Sequence, residues 1–138
     1  MMSVWFIIGG SLFAILGLIH AVYTLADLSR PRRLVPDDPA VIAAMSSSGL
    51  RLARGGTTMW RAWVGFNFSH SLGVAMFGVV CIVAGLSLQS LALPKAALLV
   101  PVAIGAIYFL LASRYWFRAP AIGTAAGTLC LVIGWLLY

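Results

Sequence analysis

The chain has 138 residues, enough for one domain, and 62% of them are hydrophobic against 9% charged, with a mean hydropathy of +1.05. Soluble domains carry roughly a quarter charged residues, and a water-soluble fold this apolar would expose patches that aggregate; the composition belongs to a chain dissolved in lipid. Nine basic residues against three acids give a net charge of +6, but the arginines flank apolar runs and form no solvated basic stripe, so they speak for membrane topology and anionic headgroups and against nucleic acid.

The first apolar run, Val4 to Leu25, is long enough to cross the hydrocarbon core, which takes about 20 helical residues. It has no basic leader and no short apolar stretch followed by a cleavage site, so it reads as a retained span. Asp27 and the cluster Arg30, Arg32, Arg33 close it. In the polar connection that follows, Asp38 and Pro39 form a helix start, an N-cap acid with proline at the first helical position. Val41, Ile42, Met45 and Leu52 then recur at helical spacing, Arg51 and Arg54 come near the end, and Gly55-Gly56 stops the helix. This pattern predicts a short amphipathic helix lying on the membrane surface.

Thr57 and Thr58 are placed to cap a second span that starts near Trp60 and runs to Leu88. The third run goes from Lys95 to Ser113 and contains Pro101, which is placed to kink it. Arg114-Tyr115-Trp116-Phe117-Arg118 has the composition of an interfacial belt. Pro120 opens the fourth helix, and Trp135 and Tyr138 anchor its far end.

The expected fold class is therefore all-α. It is a four-helix transmembrane bundle forming a single domain over 1–138, with spans at about 4–26, 60–88, 95–113 and 120–138. The short interfacial amphipathic helix falls in the surface connection 27–58 between the first two spans. The connections after the first and third spans share a side. That side holds Arg30, Arg32, Arg33, Arg51, Arg54, Arg61, Arg114 and Arg118, whereas the other holds only Lys95. The bias puts the arginines inside and both termini outside.

Small residues recur along three helices: Gly10, Ala14, Gly17 and Ala21; Gly65, Ser69 and Gly73; Gly123, Gly127, Cys130 and Gly134. Such strips let helices approach closely in lipid. They are expected to pack within the chain, with a homo-oligomer interface on the last helix as the alternative. Cys81 and Cys130 fall at different depths and are expected to be free thiols.

Ionisable groups at membrane depth are costly and turn inward. His20 lies seven residues before Asp27, and His70 nine residues after Arg61. At about 1.5 Å per residue the two sit roughly 10 and 13 Å from the same rim. Thr24 and Asp27 follow His20 on one face with Tyr23. Trp63, Asn67, His70, Val74, Phe77 and Cys81 are spaced four, three, four, three, four, an inward stripe with one polar level. Tyr108 reaches a nearby depth on the third helix. A polar cluster in the inner half of the bundle follows, and it has three readings.

In the first, each histidine hydrogen-bonds a neighbour and sets helix register in a protein of binding or accessory type without catalysis of its own. In the second, His20 and His70 are the cofactor-binding pair of a bis-histidine haem or pigment site, since bundles build such sites from facing helices. In the third, a pocket for a lipid-like or quinone-like molecule is lined by Tyr23, Trp63, Asn67 and Tyr108, with Arg61, Arg114 and Arg118 taking the polar end. A histidine there could serve as acid or base. No carboxylate lies deep in a span, which argues against proton-coupled transport and a carboxylate-bridged metal, and zinc lacks ligands. Gly55-Gly56-Thr57-Thr58 is not a phosphate loop, and hydrolase and kinase signatures are absent.

Three stretches, His20 to Arg33 (HAVYTLADLSRPRR), Thr57 to Gly73 (TTMWRAWVGFNFSHSLG) and Arg114 to Phe117 (RYWF), cover about a quarter of the chain. In them the chain resembles a family of small uncharacterised bacterial four-helix integral membrane proteins. The resemblance implies four spans in a bacterial inner membrane and assigns no role to His20, Asn67 or His70. Expected partners are anionic lipids at the inner face and a larger membrane complex or a second copy of the chain; haem is the candidate cofactor.

Overall fold

The computed structural model describes residues 2–88 and 93–138. It is all-helical, with α1 Met2–Ser29, α2 Pro39–Ser47, α3 Met59–Ser87, α4 Leu99–Tyr115 and α5 Arg118–Leu136. Four stretches, Ser3–Ser29, Met59–Ser87, Lys95–Tyr115 and Arg118–Leu136, are long and apolar enough to cross a membrane, which makes this a multi-pass membrane protein. Large side chains stay exposed along all four, Val22, Leu72, Leu110 and Leu129 among them at 59% or more. In water such surface would aggregate; in hydrocarbon it is solvated.

Local chemistry sets the helix ends. The Arg61 amide donates to Thr58 Oγ1 at 3.3 Å, an N-cap for α3. Asp38 caps α2 by accepting from the Ala40 amide, with Pro39 in the first turn. The α2 helix is shorter than the apolar spacing predicts: it stops at Ser47 rather than running on past Leu52. Ser46 Oγ donates to Ile42 O, and Ser47 Oγ to Ala43 O and Ala44 O. Serines that return bonds to the preceding turn are poor helix formers, and Gly49 beyond them pairs with Thr58 as an isolated bridge.

Pro101 does not kink a continuous helix. A 3₁₀ turn, Lys95–Leu98, passes into α4 just ahead of it. Pro101 therefore sits in the first α-turn, where a missing N–H leaves no bond unmade. Pro120 is accommodated the same way near the start of α5.

The described residues divide into two compact units. The first, Met1–Gly17 with Gly73–Tyr138, holds the leading part of α1, the trailing part of α3, and α4 and α5. Phe6, Phe13, Cys81 and Leu131 are fully buried there. Phe13 meets Phe77 edge to face at 4.9 Å and Tyr108 at 5.9 Å. Close helix approach depends on glycine. A Cβ on Gly78 would run into the Ala14 backbone, and one on Gly10 would lie 2.6 Å from Gly78 O.

The strip on α5 is used within the chain, as Gly127 and Gly134 receive the rings of Phe13 and Phe6 and Gly123 receives Leu16. On α3 the small residues that matter are not those of the predicted strip. Gly65 has nothing within 4 Å of a Cβ position, and Gly78 and Gly85 make the close contacts instead. Cys81 and Cys130 are free.

The second unit is Leu18–Leu72, comprising the rest of α1, the connection with α2, and the start of α3. It contains His20, Asp27 and Asn67, and its geometry carries the functional argument.

Candidate functional site

In the second unit a chain of hydrogen bonds ties α1, the connection and α3 together. It begins at Asp27, 4% exposed in the last turns of α1. A carboxylate near a helix C-terminus faces the negative end of the macrodipole and gains nothing from it. Its partners are instead the amides of the chain that leaves the helix. Arg32 and Arg33 donate their backbone N–H groups to Oδ1 at 2.9 and 3.1 Å, and Leu34 donates to Oδ2 at 2.7 Å. Three charge-assisted bonds fold the segment back onto α1.

Leu34 then passes the connection on to α3: its carbonyl accepts from Trp63 Nε1 at 2.9 Å. The Trp63 carbonyl accepts from Asn67 Nδ2 at 2.8 Å, one turn along. That bond orients the amide, so Oδ1 is the atom facing His20, and it accepts from His20 Nε2 at 2.9 Å. His20 must carry its proton on Nε2 to make this bond. The His20 backbone carbonyl in turn accepts from Thr24 Oγ1 at 3.0 Å. Asn67 and Thr24 are buried, 2% and 4% exposed. In Asn67→Leu the hydrogen-bonded Nε2 proton of His20 should vanish from the imidazole nitrogen spectrum; its persistence would mean that a group other than Asn67 accepts it.

The two histidines, on different helices, come together. Their rings meet edge to face, 5.3 Å between centroids at 67°, and Phe66 stacks on His70 at 5.9 Å and 12°. The imidazoles thus touch each other, and His20 commits Nε2 to Asn67. Axial ligands must face each other across the plate of a macrocycle, and this arrangement leaves no layer between the rings for one. Among the described residues no group of three or more His, Cys, Asp or Glu converges as a metal site.

Tyr23 is exposed, with the Arg33 guanidinium 4.9 Å over its ring, so it lies outside the buried layer and forms a cation–π contact at the surface. Trp63 and Asn67 share a small cleft with Thr24, Asp27, Leu34 and Trp60. Its free space admits about one water-sized group. Arg61 is exposed at the start of α3. Tyr108, Arg114 and Arg118 belong to the first unit; there Tyr108 packs among Phe13 and Phe77, and both arginines are exposed.

Helical spacing points to His20, Asn67 and His70 but not to the role of Asp27, which in the sequence only closes the first span and shares a face with His20. The available signal was a lone acid beside an arginine cluster in the closing turn of an apolar helix. Such a group needs backbone donors when it is buried.

No family model, curated protein or solved structure matches the chain.

Proposed function

We propose that this is a small polytopic protein of binding or accessory type in a bacterial cytoplasmic membrane, with both termini outside and no catalysis of its own. The observation that supports this reading is the closed run of bonds from Asp27 through Leu34, Trp63 and Asn67 to His20. Polar groups that satisfy one another hold a shape and resist rearrangement. A general acid or base must be within hydrogen-bond reach of its substrate, and the cleft beside this run has free space for about one water-sized group. What such a layer offers is a rigid, polar end to the bilayer-embedded helices, rimmed by Arg30, Arg32, Arg33 and Arg61, all exposed. That rim suits the anionic head of an amphipathic molecule or a second membrane protein.

Native mass spectrometry of protein extracted in mild detergent tests the proposal. A retained anionic lipid or protein partner, lost when Arg61→Gln is combined with Arg33→Gln, is the expected result. A chain that retains neither, while turning over a lipid or quinone in vesicles, would replace binding by catalysis. Haem is the second reading, because two histidines from different helices meet at one level, although their direct ring contact counts against it. Protein purified from haem-replete cells is expected to show no Soret band; a band lost in both His20→Ala and His70→Ala would make haem the function instead.

A further inference from the structure

We propose that the tip of the loop between α2 and α3, Leu52 with Arg51 and Arg54, is a membrane anchor that inserts among anionic headgroups of the leaflet where α3 enters the bilayer. This site is separate from the polar layer and does not depend on how that layer is used.

Leu52 is 100% exposed, a large aliphatic side chain with no cover from the described residues of the chain. It sits at the centre of a 3₁₀ turn, Arg51–Ala53, and Arg51 and Arg54 on either side are exposed as well. The turn has a defined backbone geometry. Arg54 has φ 45° and Gly55 φ 90°, and a non-glycine residue in the left-handed region persists only where its surroundings demand it. Ala53 N donates to Leu50 O at 3.0 Å and Gly56 N to Ala53 O at 2.8 Å.

The base of the loop is tied to the start of the span. Gly49 pairs with Thr58, Met59 N donates to Ser48 O at 2.9 Å, and Thr58 caps α3. Leu52 is three positions beyond Gly49, so its Cα stays within roughly 10 Å of that base, which is itself paired to the start of α3.

Charge selects the occupant. The three acids are Asp27, Asp37 and Asp38, so no acid lies between Pro39 and the end of α3. A cationic pair flanking an aliphatic wedge complements a surface that is anionic above and apolar below, the pattern of interfacial anchors. Guanidinium groups bind phosphate in bidentate fashion. Each arginine near an anionic surface adds about fivefold to the local partition, from about 1 kcal/mol apiece.

The test uses the full chain with Leu52→Cys, carrying an environment-sensitive fluorophore and reconstituted in phosphatidylcholine vesicles with or without phosphatidylglycerol. The parent chain, treated alike, corrects for any label on Cys81 or Cys130. With phosphatidylglycerol present, blue-shifted emission, quenching by doxyl-labelled lipid and protection from iodide are expected. Adding Arg51→Gln and Arg54→Asn should return most of the iodide access in the same vesicles; asparagine is chosen because it tolerates the left-handed backbone. Amide exchange of residues 50–54 in the unmodified chain should slow in these vesicles relative to detergent, which checks the anchor without substitution. A label open to iodide in both vesicle types, with unchanged amide exchange, overturns the proposal. So does protection that follows protein density rather than lipid charge, which would put a second copy on the tip.

Discussion

Leucine in place of Gly78 is expected to prevent the first unit from packing, at a cost of about 3 kcal/mol or more. A Cβ at this position already meets the Ala14 backbone and Gly10 O. Backbone cannot swing aside as a long side chain can, so α1 and α3 would have to separate along their contact. In lipid no hydrophobic force holds helices together, and loss of close packing removes most of what does. Alanine should show the same effect in smaller degree. Gly65→Leu is the control, since its Cβ position is open, and should fall within about 0.5 kcal/mol of the parent. Unfolding of purified variants in mixed micelles of increasing SDS measures both; a Gly78→Leu protein as stable as the parent would mean that the two helices do not cross at this point.

Asp27→Ala is expected to cost about 2–3 kcal/mol, measured the same way, because it removes the acceptor of three amides at once. The loss is below the sum of three charged bonds because amides near the rim recover water. Its signature is local. The Arg32, Arg33 and Leu34 amides should lose protection from exchange, and the Trp63 indole should loosen, since its acceptor is the Leu34 carbonyl. Asp27→Asn should be intermediate: an amide oxygen can still receive Arg32 and Arg33, but an amide nitrogen would face the Leu34 N–H. Unchanged exchange at these three amides in Asp27→Ala would show that the carboxylate does not hold the segment.

These two positions also mark what could be read beforehand. Apolar run lengths lead to four helices because hydrocarbon forces each crossing segment to satisfy its own backbone. The ends of α2 and α3 follow from Asp38-Pro39 and Thr58, whose effects are confined to one turn. Helical spacing placed Asn67 and His70 on one level of α3 and His20 on a similar level of α1, and the structure brings the two imidazoles to 5.3 Å. The strip Gly65, Ser69, Gly73 obeys the same spacing rule as Gly78 and Gly85, yet only the latter pair carries the close contacts of its helix. Spacing along one helix gives a repeat but not its phase against a neighbour.

The sequence by itself thus determined the solvent, the number of crossings and the local caps, because each depends on residues within one run or one turn. Only the tertiary structure decided which glycines touch, that Asp27 gathers Arg32, Arg33 and Leu34, and that Leu34, Trp63, Asn67 and His20 join in one run. These are choices of rotation and partner between segments far apart in the chain, such as the 47 residues from His20 to Asn67, and they are settled by shape and by the cost of leaving buried polar groups without partners.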